Sequence, residues 1–183
     1  MENEKSTRNP VNTPFEQCSK GQEKRVKILF VCHGNICRSP IGEFVMKKLV
    51  RDAGKEKEFH IESRATHTDE IWGDHGSDIY PPAQKIMKEH GVKYEHREAT
   101  LLRSDDYDKY DLFIGMDSEN MHAMKRIFGT RIKEGDDKIH KLLEYTGSSS
   151  DVSDPWYTRD FETAYLDIYS GCKELLKALF PTG

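Results

Sequence analysis

Val26-Lys27-Ile28-Leu29-Phe30-Val31-Cys32-His33-Gly34-Asn35-Ile36-Cys37-Arg38-Ser39-Pro40 is the stretch that decides how this chain is read. Its first six residues form an apolar β-type run, and Pro40 suits the first turn of a helix. Between them lies a tight loop with a cysteine and an arginine six positions apart. The backbone N–H groups of such a loop point inward, and the helix N-terminus adds partial positive charge. Gly34 removes a Cβ where backbone must approach an anion, and Asn35 tolerates a left-handed conformation. Arg38 grips two phosphate oxygens with its planar fork. Cys32 sits where that field favours a thiolate, and Ser39 offers its hydroxyl to the sulfur. The expected chemistry is attack by sulfur on a phosphoryl group.

Outward from this loop, strands alternate with helices. Val26–Val31 reads as a buried strand and Ser39–Ala53 as a helix stopped by Gly54. Phe59–Ala65 follows as a strand, Pro82–His90 as a helix closed by Gly91, and Val92–His96 as a short strand. Asp111–Met116 is a further strand, Ser118–Phe128 a helix ending at Gly129, and Ile139–Leu143 a weak strand or turn. Phe161–Phe180 is a long terminal helix with Ala164, Ile168, Cys172, Leu175, Leu176 and Leu179 on or near one face. The pattern predicts an α/β fold: a parallel four-stranded sheet flanked by helices on both faces, with a phosphate-binding loop after the first strand. Ligands of such sheets bind beyond the carboxyl ends of the strands, where Cys32 falls.

Composition narrows the class. The chain has 183 residues, enough for one domain with a sizeable core. A net charge of −4 argues against a nucleic-acid partner, which calls for a basic surplus. No apolar run approaches the roughly 20 residues of a membrane helix, and no apolar signal core precedes the loop, so the expectation is a cytoplasmic protein with no membrane partner. Residues 1–25 are polar and read as an N-terminal extension in which only Val11, Phe15 and Cys18 could pack beyond Met1; residues 26–183 form the folded domain. An effect of the extension on access to the site would show when Met1–Arg25 is deleted and a protein substrate is assayed. Oligomeric state is not legible.

Cys18, Cys32, Cys37 and Cys172 are the cysteines. In a reducing compartment they read as thiols rather than disulfides. Cys32 and Cys37 have no matching Cys or His pair at metal-site spacing, so neither a metal nor another cofactor is expected. Cys172 lies on the apolar face of the last helix and reads as core.

Phosphoryl transfer to sulfur needs an acid for the leaving oxygen. The candidate is Asp154 in Ser153-Asp154-Pro155-Trp156-Tyr157, where Pro155 stiffens the loop and Trp156 and Tyr157 offer an aromatic wall. From spacing alone, Asp154 reads equally as the start of a turn before the last helix.

With these pieces placed, the chain from Val26 to the terminal helix resembles the low-molecular-weight protein tyrosine phosphatases. The resemblance rests on Cys32-His33-Gly34-Asn35-Ile36-Cys37-Arg38-Ser39, on Met116-Asp117, and on Asp154-Pro155-Trp156-Tyr157 followed by Asp160-Phe161-Glu162. It implies metal-independent hydrolysis of phosphotyrosine, in a protein or a small aryl phosphate, through a phosphocysteine intermediate. Cys32 would be the nucleophile, Arg38 the phosphate ligand and Asp154 the acid and then the base. His33, Gly34, Ile36 and Cys37 would complete the cradle with Asn35 and Ser39. The resemblance further implies that Asn35 holds the loop's shape with Ser63 and His96 as hydrogen-bond partners, and that Asp117 supports the loop from below. It also offers Cys37 as partner to Cys32 in a reversible, protective disulfide, against a plain packing role.

The chain departs from the family in places. Ser63-Arg64-Ala65-Thr66 stands for a frequent Ser-Ala-Gly-Thr, and a longer polar segment follows. Asp69 falls where the family often has an aromatic cleft wall, leaving Trp72 or Tyr80 as substitutes. The family's arginine after the match to His96 is displaced in His96-Arg97-Glu98-Ala99-Thr100, and Trp156 replaces a frequent tyrosine. Thioredoxin-coupled arsenate reductases need two redox cysteines downstream, and none lies between Cys37 and Cys172. Protein arginine phosphatases typically carry Thr where Ile36 stands; the bulkier Ile36 narrows the cleft to suit a flat ring. A phosphocarrier or a phospho-ligand binding module would not need Asp154 as a hydrolytic acid.

Overall fold

In a computed structural model, residues 24–181 are described. The extension expected over residues 1–25 lies outside them except for its last two positions, and Cys18 falls with it. Four parallel strands form the sheet: β1 (Val26–Cys32), β2 (Phe59–Ala65), β5 (Leu112–Gly115) and β6 (Ile139–Lys141), in the order β2-β1-β5-β6. A two-stranded hairpin of β3 (Ile71–Trp72) and β4 (His75–Gly76) stands apart from it. The helices are α1 (Arg38–Asp52), α2 (Pro81–Glu89), α3 (Ser118–Phe128), α4 (Pro155–Thr158) and α5 (Phe161–Leu179).

The period-2 geometry of β1 divides the core. Ile28, Phe30 and Cys32 point to one face, where Ile41, Val45, Ala164, Ile168 and Leu175 of α1 and α5 cover them. Leu29 and Val31 point to the other, among Tyr107, Phe113, Met124 and Phe128. Burial on both faces is why β1 reads as a nearly continuous apolar run. On the first face α1 lies hard against β1: a Cβ on Gly42 would come within 2.8 Å of Phe30 Cδ1. That close approach sets the helix N-terminus beside the end of β1.

β1 is flanked by β2 on one side and β5 on the other, so chain connections leave it in opposite directions. The crevice at the carboxyl end of β1 is therefore the switch point of the sheet, and Cys32 is its last residue.

The structure corrects one expected strand. Val92–His96 makes no ladder; the parallel bridge beside β2 is Ala65 with Leu101, held by Ala65 N–H to Thr100 O (2.8 Å) and Leu102 N–H to Ala65 O (2.8 Å). Only Val92 is buried in that stretch, so the chain passes outside the sheet before its amides return to β2. The fourth strand is instead Ile139–Lys141, and the remainder of the expected Ile139–Leu143 turns into a 3₁₀ segment. No helix among the described residues is long and apolar enough to cross a membrane.

Candidate active site

The loop between Cys32 and Arg38 is shaped by bonds to its carbonyls. Thr66 N–H donates to Cys32 O (2.9 Å), His67 N–H to His33 O (3.1 Å), Tyr80 N–H to Ile36 O (2.9 Å) and Ile41 N–H to Cys37 O (3.2 Å). Among the described residues, the amides of Gly34 through Cys37 have no protein acceptor. A run of unpaired amides at a helix N-terminus is an anion-binding concavity. Asn35 takes the left-handed conformation that its side chain tolerates, with φ 59°.

The Cys32 thiol donates to Ser39 Oγ at 3.0 Å, and Ser39 N–H points to the sulfur at 3.4 Å. Asn35 Nδ2 donates to Ser39 Oγ (2.8 Å) and to Ser63 Oγ (3.0 Å), while its Oδ1 accepts from Thr100 N–H (3.1 Å) and Arg97 Nη1 (3.2 Å). His96, expected at Asn35, is not there: it is exposed and its Nδ1 bonds Asp78 Oδ2 at 2.6 Å. Arg97, one residue on, reaches the loop instead. Its longer fork spans Asn35, Ser63 and Glu43, the last at 2.9 Å. The displaced arginine was the visible sequence signal for this swap; the buried Glu43 gave none, because a charge in the first turns of a helix reads as surface.

Arg38 is 3% exposed. Its Nη1 donates to Asp117 Oδ2 (2.7 Å) and Val152 O (2.9 Å), and its Nη2 to Asp154 Oδ2 (3.3 Å). Burial works against the guanidinium's charge, but Cys32, Asp117 and Asp154 outweigh it and raise its proton affinity above the usual arginine value. Asp117 follows β5 and caps α3 with its other oxygen, accepting from Asn120 N–H at 2.7 Å. Val152 N–H to Met116 O (2.9 Å) brings the Asp154 segment alongside. Asp154 itself caps α4, accepting from Trp156 N–H at 3.0 Å, so its turn-starting role and its place at the cleft coexist.

Cys32, Cys37, Arg38, Asp117 and Asp154 line one cleft of about 520 Å³, with His33, Gly34 and Ile36 in its loop wall and Trp156 and Tyr157 at one side. Burial above all pushes the Cys37 thiol far up, which keeps it protonated at neutral pH. Asp69 and Glu70 also line the cleft, and His33 Nε2 bonds Asp69 Oδ2 at 2.6 Å while its ring stacks on His67 at 4.1 Å. Glu119 of α3 adds another carboxylate. Trp72 sits on the β3–β4 hairpin, 63% exposed and outside the cleft lining. Tyr80 packs behind Trp156, ring centroids 5.1 Å apart, and backs that wall rather than forming a second one. Among the described residues no group of three or more His, Cys, Asp or Glu side chains is arranged to hold a metal ion.

The chain is similar to known proteins in sequence and in fold. A family model described as low molecular weight phosphotyrosine protein phosphatase matches residues 27–181. The chain is 38% identical over 156 residues to the low molecular weight phosphotyrosine protein phosphatase of Gallus gallus, covering 82% of this chain and 93% of that one. The crystal structure of YfkJ from Bacillus subtilis superposes with a TM-score of 0.76 at 32% identity, covering 87% of this chain and 97% of the other. The low molecular weight protein tyrosine phosphatase of Streptococcus pyogenes gives 0.73 at 37% identity, covering 86% and 95%.

Proposed function

The chain belongs to the low molecular weight phosphotyrosine protein phosphatase family, and from that membership we propose how its residues divide the work. It hydrolyses phosphotyrosine through a cysteine-bound phosphoryl group, and its substrate is a phosphotyrosine-bearing protein or an aryl phosphate. Residues 26–183 are the phosphatase domain.

Cys32 attacks phosphorus as the thiolate, supported by the Ser39 hydroxyl 3.0 Å away. The unpaired loop amides and the Arg38 fork take up the charge on the equatorial oxygens, work a metal does in other phosphoryl-transfer sites. The phenolic oxygen leaves with the proton of Asp154. The same carboxylate then takes a proton from water as water attacks phosphocysteine, releasing inorganic phosphate and restoring the Cys32 thiolate and the protonated Asp154. Trp156 and Tyr157 flank the substrate ring, and Asp117 keeps Arg38 aimed. A nucleic acid or membrane partner has no role in this scheme, and the free thiol it needs fits a cytoplasmic location.

The single observation that carries this reading is that Cys32, Arg38 and Asp154, 122 positions apart in sequence from first to last, line one cleft with Arg38 bonded to Asp154. The test is hydrolysis of an aryl phosphate at mildly acidic pH with a chelator present. Wild-type turnover that Cys32→Ser abolishes is the expected result; no turnover by the reduced wild-type protein would overturn it.

A further inference from the structure

We propose that Arg97 is a positioning residue for the nucleophile, holding the hydrogen-bond chain that aims the Ser39 O–H at Cys32 Sγ as a donor once the sulfur is ionised; this rests on Cys32 being the nucleophile.

The chain of bonds has one consistent direction. Asn35 Oδ1 faces two groups that can only donate, Thr100 N–H and Arg97 Nη1. The amide is thereby fixed with Nδ2 toward Ser39 and Ser63. Ser39 Oγ must accept from Asn35, and among the described residues its other side-chain partner is Cys32 Sγ. When the sulfur ionises, the single Ser39 hydrogen has one place to go. Ser63 follows the same logic: it accepts from Asn35 and from Arg97 Nη2, and donates to Glu43 Oε2 at 2.7 Å.

Arg97 is what ties these acceptors together. Its two terminal nitrogens reach Asn35, Ser63 and Glu43, and Glu43 is itself buried in the second turn of α1, the helix that starts at Arg38. A lysine is a point charge and holds Glu43 without forking to Asn35 and Ser63. A histidine in this place would switch between donor and acceptor with its protonation state. Arginine has no acceptor form, so the polarity of the chain does not change across the working pH range. Among the described residues the buried Nε of Arg97 has no hydrogen-bond partner.

The test is Arg97→Lys, read by the pH dependence of alkylation at Cys32, located by fragment-resolved mass spectrometry so that the other cysteines do not contribute. The midpoint is expected to rise by about one unit, a tenfold loss of thiolate below it, with kcat/KM falling about tenfold at low pH and recovering as pH rises. A purely structural role would lower the melting temperature without moving the midpoint. Should Arg97→Lys fail to fold, Glu43→Gln/Arg97→Met removes both buried charges together and is read in the same way. A folded variant of either kind with the wild-type midpoint overturns the proposal. Alkylation is measured without turnover, so an inactive wild-type protein would defeat the phosphatase reading while leaving this result to stand by itself.

Discussion

Arg38 Nη2 lies 3.3 Å from Asp154 Oδ2, so the loop bearing the sulfur and the loop bearing the acid meet through one guanidinium. The other terminal nitrogen is anchored at Asp117 and Val152 O. In the proposed scheme a phosphoryl group entering the cradle would compete with Asp154 for Nη2 and so free the carboxyl to face the leaving oxygen. Arg38→Lys keeps the charge and loses the fork, so kcat on an aryl phosphate should fall about 10²–10³-fold. Steady-state kinetics at saturating substrate check this; a loss confined to KM would contradict it.

Asp154→Asn keeps the cap on α4, since an asparagine oxygen still accepts from Trp156 N–H. It removes the transferable proton. The expected drop in kcat is about 10²–10³-fold for phenyl phosphate. For a leaving group as acidic as a nitrophenol it should be smaller, because that oxygen departs without protonation. A series of substituted aryl phosphates would show a steeper dependence on leaving-group acidity in the variant than in the wild type; equal slopes would remove Asp154 from the role of acid.

Cys37 shares the cleft, but burial holds its thiol protonated at neutral pH. It is therefore a poor nucleophile beside Cys32 and a candidate for resolving an oxidised Cys32. Cys37→Ser should keep turnover within about threefold of wild type, since no cleft charge is lost. After peroxide treatment, the variant should recover less activity with a dithiol than the wild type does. Equal recovery would assign Cys37 to packing alone.

A separate carboxylate reports on stability. Burial pushes Glu62 up, but the Tyr110 hydroxyl, Arg64 and His60 outweigh it and hold its carboxyl below the usual value. A depressed folded value contributes stability that is present above the unfolded value, about 4.3 for Glu, and is lost as pH falls through the folded one. Glu62→Gln should therefore flatten the stability curve in that acid window and leave the neutral shape unchanged. Denaturant midpoints between about pH 5 and pH 3 would show it; parallel curves would contradict it.

How much of this was legible in the sequence differs by element. β2 falls on the expected Phe59–Ala65 and α3 on the expected Ser118–Phe128, because both have strong periodicity and clear stops. Val92–His96 failed as a strand because its apolar content is one buried valine, and its backbone is committed to carrying Arg97 and Thr100 to the loop. The His96 expectation failed by one residue for the same reason: a segment without ladder bonds has no period to fix its register. Cys32, Arg38 and Ser39 were readable because eight consecutive positions build their own cradle. Asp154 needed the resemblance, since nothing local joins it to Arg38. The β3–β4 hairpin and the acidic side of the cleft, Asp69 and Glu70, were hidden in a polar segment whose pairing depends on Gly73 at φ 63° and on contacts from Ser77 and Ala99.

The most direct test of the central claim is a rapid-quench measurement on the wild-type protein with an aryl phosphate in large excess. A cysteine-bound intermediate predicts a burst of phenol of about one equivalent per active site ahead of the steady state, with acid-quenched protein carrying phosphate on Cys32. Phenol and inorganic phosphate released in step from the first turnover, with no phosphate on Cys32, would contradict it.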